Sequence, residues 1–172
     1  KQKGLFEGRE ARDIYDLLEA INHPHDHSRT AKVGLTRFIG INIRDLSQGS
    51  IDDFDLINLL HEWKAMAESR QFRKMFDQIL ERTRIIEREL FLSGDERSVT
   101  NYTHLFEVLI RQVLENHLDL HELSLLLKRF IDGKEDPGEN ENLLRLESER
   151  NAVQLMTIHA SKGLEFPVVF LF

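Results

Sequence analysis

The chain has 172 residues, 31% of them charged and 41% hydrophobic, with a formal net charge of −7 and no cysteine. That is an ordinary composition with enough length for a real core, and it excludes a disulfide scaffold and a thiolate metal site, as fits a reducing cytosol. The acidity argues against a free-standing nonspecific DNA binder, whose affinity comes mostly from Lys and Arg on phosphates, and no apolar run approaches the roughly 20 residues that span a bilayer.

In chain order, Glu10 to Ile21 carries Ile14, Leu17, Leu18 and Ile21 at helical spacing, with Phe6 ahead of it and Pro24 as its stop. His23-Pro-His-Asp-His27 reads as a turn. Three histidines and an aspartate are donors that can gather a divalent metal, but structural zinc needs ligands held from separate elements, so no metal is assigned. Val33 to Leu46 reads as a short hydrophobic junction. Ser50-Ile-Asp-Asp53 offers an N-cap before a helix whose inner face is Phe54, Ile57, Leu60, Trp63 and Ala67. Phe72, Phe76, Ile79, Ile86 and Leu90 continue the spacing through a second, highly charged helix, broken by Ser93-Gly-Asp-Glu-Arg97. Thr100 or Asn101 caps a third helix with Leu105, Phe106, Leu109, Val113 and Leu114 inward, and a fourth runs from Leu120 to Ile131. His117 and His121, four apart, read as surface residues on one helix face. Asp132 to Glu141 is a polar, flexible loop.

The last twenty residues change character. Val153–Ile158 and Val168–Phe172 are unbroken apolar runs rich in β-branched residues, which predicts two buried strands of parallel type. Between them lies His159-Ala-Ser-Lys-Gly-Leu-Glu-Phe-Pro167, at the strand's carboxyl end, where open α/β sheets place ligands. His159, Ser161 and Lys162 can donate to phosphate oxygens, Gly163 lets backbone come close, and Glu165 can accept from a hydroxyl.

Leu155-Met-Thr-Ile-His-Ala-Ser-Lys-Gly-Leu-Glu-Phe-Pro167 resembles motif V of the superfamily 1 DNA helicases of the UvrD, Rep, RecB and AddA group. The resemblance implies that Thr157 and His159 contact the single-strand backbone with Ser161 and Lys162 beside it. It also implies that Glu165 binds the ribose of ATP, with Gly163 in the turn between the two ligands. Phe6, Glu7 and Glu10 fit the Phe-Phe-Glu-x-x-Glu pattern that follows motif IV, although Gly8 replaces the arginine of UvrD-type members. Thr36, Arg37, Ile39 and Gly40 match a Thr-Arg-Gly-Ile-Gly string whose amides meet duplex phosphates in that group, which makes Arg37 and Gly40 DNA candidates. Phe38 stands where the first glycine belongs and hinders close approach. Gly94 to Glu107 and Arg145-Leu-Glu-Ser-Glu149 are similar to RecB-type strings, and favour that branch.

The resemblance implies a mainly α piece of a longer protein. Residues 1–30 would be the motif IV side of a RecA-like α/β motor domain, 31–150 an inserted helical accessory domain of 2B type, and 151–172 the motif V strands. Lys1 at one end and an apolar strand at the other fit such a piece. The parent would be a bacterial, cytoplasmic, ATP- and Mg²⁺-dependent 3′–5′ helicase and exonuclease of double-strand-break repair. It would act on single- and double-stranded DNA with the other subunits of a RecBCD- or AddAB-like complex. The 172 residues hold no Gly-x-x-x-x-Gly-Lys-[Ser/Thr] phosphate loop, so they are expected to bind no cofactor and catalyse nothing alone. Their terminal strands are expected to drive self-association. The rival reading is a helical module that docks a partner subunit without touching DNA.

Overall fold

The computed structural model describes residues 4–40, 53–93 and 96–136. A 3-10 turn, Leu5–Glu7, leads into α1, Arg9–Asn22, and then α2, His27–Gly34. There follow α3, Asp53–Glu68; α4, Phe72–Thr83; and a short α5, Ile85–Arg88, running into a π turn at Glu89–Ser93. The long α6, Glu96–Asn116, and α7, Leu120–Ile131, complete the described residues, which contain no strand. The expected mainly helical architecture is therefore present. The strands expected at Val153–Ile158 and Val168–Phe172 lie outside the described residues, as do half of the Asp132–Glu141 loop and the Ser50 cap. Among the described residues no helix is long and apolar enough to cross a membrane.

The centre of the assembly is α1, against which α2, α3, α6 and α7 all pack. Its apolar stripe, Ile14, Leu17, Leu18 and Ile21, is completely buried, as the spacing predicts. Phe6 seals one end against Phe130 of α7, ring centroids 5.0 Å apart. Trp63 of α3, Phe76 of α4 and Tyr102 of α6 fill the rest, so one core spans residues on both sides of position 30. Local chemistry sets the helix ends. Asp26 accepts from the amides of Ser28 and Arg29 to start α2, and Asp119 with Glu122 forms a reciprocal capping box on α7. The Arg29 amide is the largest of the effects holding the Asp26 carboxyl below its ordinary pKa. At the end of α3, Arg70 has φ 59°, its amide bonds Ala67 O and that of Gln71 bonds Met66 O, the paired bonds of a left-handed cap.

Several expectations need correction. Arg84, at φ 50°, breaks the second predicted helix into α4 and α5, which carries Leu90 out to 43% exposed while Ile85 takes the core position. The third helix begins at Glu96, not at Thr100 or Asn101; Thr100 already lies within it, its Oγ1 bonded back to Glu96 O. Leu114 is 65% exposed, and Tyr102 lies in the core instead. On α3, Leu56 is buried whereas Ile57 is only half-buried. His117 and His121 do not share a helix: α6 ends at Asn116, and His117 sits in the connection with φ 53°.

That left-handed His117 supports a stability prediction. Such a conformation costs an L-residue about 1–2 kcal/mol, and glycine returns about 0.5–1 kcal/mol of this as unfolded-state entropy. His117→Gly is expected to raise stability by about 0.5 kcal/mol, read as a higher urea midpoint at unchanged slope. A lower midpoint would mean that the imidazole itself stabilises the connection.

Candidate functional site

Of the residues singled out from the sequence, Arg37 and Gly40 lie in the described part, whereas Thr157, His159, Ser161, Lys162, Gly163 and Glu165 lie outside it. Thr36 to Gly40 forms a tight turn after α2, closed by Gly40 N to Thr36 O at 2.7 Å and Thr36 Oγ1 to Val33 O at 2.6 Å. Phe38 points into the core and meets Tyr102 edge-on at 5.3 Å and Phe106 at 6.2 Å. The guanidinium of Arg37 donates to the buried carboxylate of Glu89. Arg88, next in the chain, donates to the carbonyls of Phe38 and Ile39, the latter at 2.9 Å. Gly40 has φ 71°, and a Cβ there would stand 2.7 Å from Arg88 Nη1, so conformation and clearance both call for glycine.

Beneath the turn lies a polar cluster joining α1 to α6. Tyr102 Oη donates to Asp13 at 2.9 Å, and Arg9 stands 3.6 Å from the same carboxylate. Burial nevertheless dominates and raises the Asp13 carboxyl above its ordinary pKa, while burial beside Asp13 pushes the Tyr102 phenol up strongly. One turn earlier, Glu10 accepts from Ser98 Oγ at 2.9 Å and Asn101 Nδ2 at 3.3 Å. The two patches read from sequence around Glu10 and around Asn101 thus meet in space. As arranged, these groups hold α1 and α6 in register.

Ionising Asp13 in this setting costs stability, and the sign follows from linkage. A carboxyl whose folded pKa exceeds its unfolded value favours folding below the unfolded value, near pH 3.8, and loses that contribution as pH rises through the folded one. Asp13→Asn cannot ionise. The melting temperature of the variant minus that of the native chain is therefore expected to grow between pH 4 and pH 7, whatever its offset. A flat difference would mean that the carboxyl is not raised.

The histidine turn has structural work. Asp26 caps α2 and pairs with Arg29 at 3.2 Å, and the His25 ring packs on His61 at 4.6 Å. Among the described residues no three His, Cys, Asp or Glu side chains gather as a metal site requires. The arginines that look basic in sequence have carboxylates beside them: Arg82 stands 4.0 Å from Glu62, and Arg84 2.8 Å from Glu87. Sequence inspection misses Arg88 and Glu89 as partners of the turn, because about fifty positions separate them from it.

The helices and the Phe6–Glu10, Thr36–Gly40 and Asn101 patches can now be set beside known proteins. The profile of the UvrD-like helicase C-terminal domain matches residues 1–172, the whole chain. The chain belongs to this family. It is 32% identical over 168 residues to the RecBCD enzyme subunit RecB of Mycolicibacterium smegmatis, covering 97% of this chain and 15% of that protein. The RecB subunit of Escherichia coli is 28% identical over 177 residues, covering 97% of this chain and 14% of that protein. An ATP-dependent helicase/nuclease subunit of Exiguobacterium sibiricum is 25% identical over 191 residues, covering 98% of this chain and 16% of that protein. The chain thus spans about one seventh of the length of these relatives, and family membership extends over the N-terminal patch, the helical middle and the 155–167 string alike.

Proposed function

We propose that this chain is the part of an ATP-dependent 3′–5′ DNA helicase and exonuclease subunit that carries motif V and the helical accessory domain, acting in double-strand-break repair. The observation that carries the reading is the extent of the family match, which takes in all 172 residues. In this reading Thr157, His159, Ser161 and Lys162 hold the single-stranded backbone, and Glu165 with Gly163 holds the nucleotide. ATP, with Mg²⁺, supplies the phosphoryl transfer that drives movement. The residues of this chain bind and orient, and the phosphate cradle belongs to sequence outside it. The parent would work in the bacterial cytoplasm beside the other subunits of a helicase–nuclease complex. ATPase and fork unwinding by the full-length protein, with Glu165→Ala and His159→Ala beside the native form, test this.

A second reading has a specific observation in its favour. The turn that bears Arg37 and Gly40 is engaged inward: the Arg37 side chain by Glu89, the Phe38 ring by the core, its carbonyls by Arg88. For these residues to contact duplex DNA the Glu89 pair would have to open. As a closed junction, the turn suits an accessory domain that chiefly grips a partner subunit. The two readings part on whether Arg37→Ala weakens duplex binding by the full-length protein.

A further inference from the structure

Arg88 at the turn donates to carbonyls, and a further group of three cations lies away from it. Arg37, Arg82 and Arg84 each stand beside a carboxylate. Among the described residues, Arg70, Arg73 and Lys74 are in no ion pair. Arg70 donates through Nη1 to the carbonyls of His117 at 2.8 Å and Leu118 at 3.1 Å, neutral acceptors that fix its guanidinium without cancelling its charge. Arg73 and Lys74 are exposed on the first turn of α4. Together they rim an open groove of about 400 Å³ that includes one carboxylate, Asp77. Ile110 and Leu114 of α6 form its floor, and Leu114 is 65% exposed there.

We infer that this groove binds a segment of single-stranded DNA, its phosphates on the Arg70, Arg73 and Lys74 rim and its sugars and base edges over Leu114. The inference rests on the DNA function proposed above and assigns it a second contact. Three cations against one carboxylate, in a chain of net charge −7, mark the groove as a local anion site. The apolar floor decides between strands: a duplex keeps its base faces within the stack, whereas a single strand has apolar surface free to cover Leu114. An acidic polypeptide is the competing occupant.

Anisotropy titrations of a labelled oligo-dT with the 172-residue chain, across a salt series, test the groove. At low salt Arg73→Glu with Lys74→Glu is expected to weaken binding about tenfold and to reduce the salt slope by about 1.4, two phosphate contacts at about 0.7 each. Arg73→Gln with Lys74→Gln, which removes charge without reversing it, is expected to lose about threefold. Arg82→Glu with Arg84→Glu is expected to stay within about twofold, because those charges are already compensated. All four side chains are exposed, and circular dichroism checks that the fold is kept. Failure of the proposed function would show as normal unwinding by Glu165→Ala and His159→Ala in the full-length protein, whereas failure of the groove shows only in the Arg73 and Lys74 variants, so the two give different patterns. Native-like binding by the Arg73 and Lys74 variants would overturn the inference. So would the absence of saturable binding by the native chain at low salt, or polyglutamate competing as well as unlabelled oligo-dT at equal charge.

Discussion

Phe38→Ala is expected to destabilise the chain by about 3–5 kcal/mol, the range for truncating a fully buried aromatic. The ring is wholly buried and contacts Tyr102 and Phe106 edge-on, so alanine leaves a cavity and removes two aromatic contacts. The turn would lose the anchor that holds Arg37 against Glu89, so the cost reaches past the ring's own contacts. Total stability for a domain of this size is about 5–15 kcal/mol, which makes this a large fraction of it. Denaturant unfolding measures the loss. A cost under about 1 kcal/mol would mean that the turn is held by Arg88 and Glu89 alone. The result also separates the two uses of this turn, since a phosphate cradle wants glycine at position 38 whereas a buried junction wants bulk.

The second large effect is expected in the full-length protein. Glu165→Ala removes an acceptor proposed for the ribose, and losing a charge-assisted hydrogen bond of about 1.5–3 kcal/mol corresponds to about a ten- to hundredfold higher KM for ATP. His159→Ala, on the proposed DNA side, is expected to lower fork unwinding at least about tenfold while ATPase at saturating nucleotide stays within about threefold. Steady-state ATPase and strand-displacement rates separate the two variants. Normal unwinding by both would remove the motif V roles assigned to Thr157, His159, Gly163 and Glu165 together.

Much of the helical layout was legible because amphipathic spacing is a local property. The stripe of α1 and the run from Leu120 to Ile131 came through, since Pro24 stops the first and the apolar spacing carries the second; the Asp119–Glu122 capping box that starts the second went unread. The break at Arg84 was not legible, because an arginine in the left-handed region carries no signal of the kind glycine gives. Leu114 and Leu90 misled for a related reason: periodicity places a side chain on a face, but the neighbouring helix decides how wide the covered face is.

Sequence alone was enough to indicate the family, through a contiguous string that resembles motif V and patches in order along the chain, and it determined the mainly helical architecture through periodicity. Tertiary structure decided which charges are free. Arg37 looks basic in sequence and is held by Glu89, whereas Arg73 and Lys74 look like ordinary solvated charge and prove to rim a groove with Arg70. The reason is physical. A helix's apolar stripe is set by residues three and four apart, but the field around a cation depends on whichever carboxylates folding brings beside it from about fifty positions away.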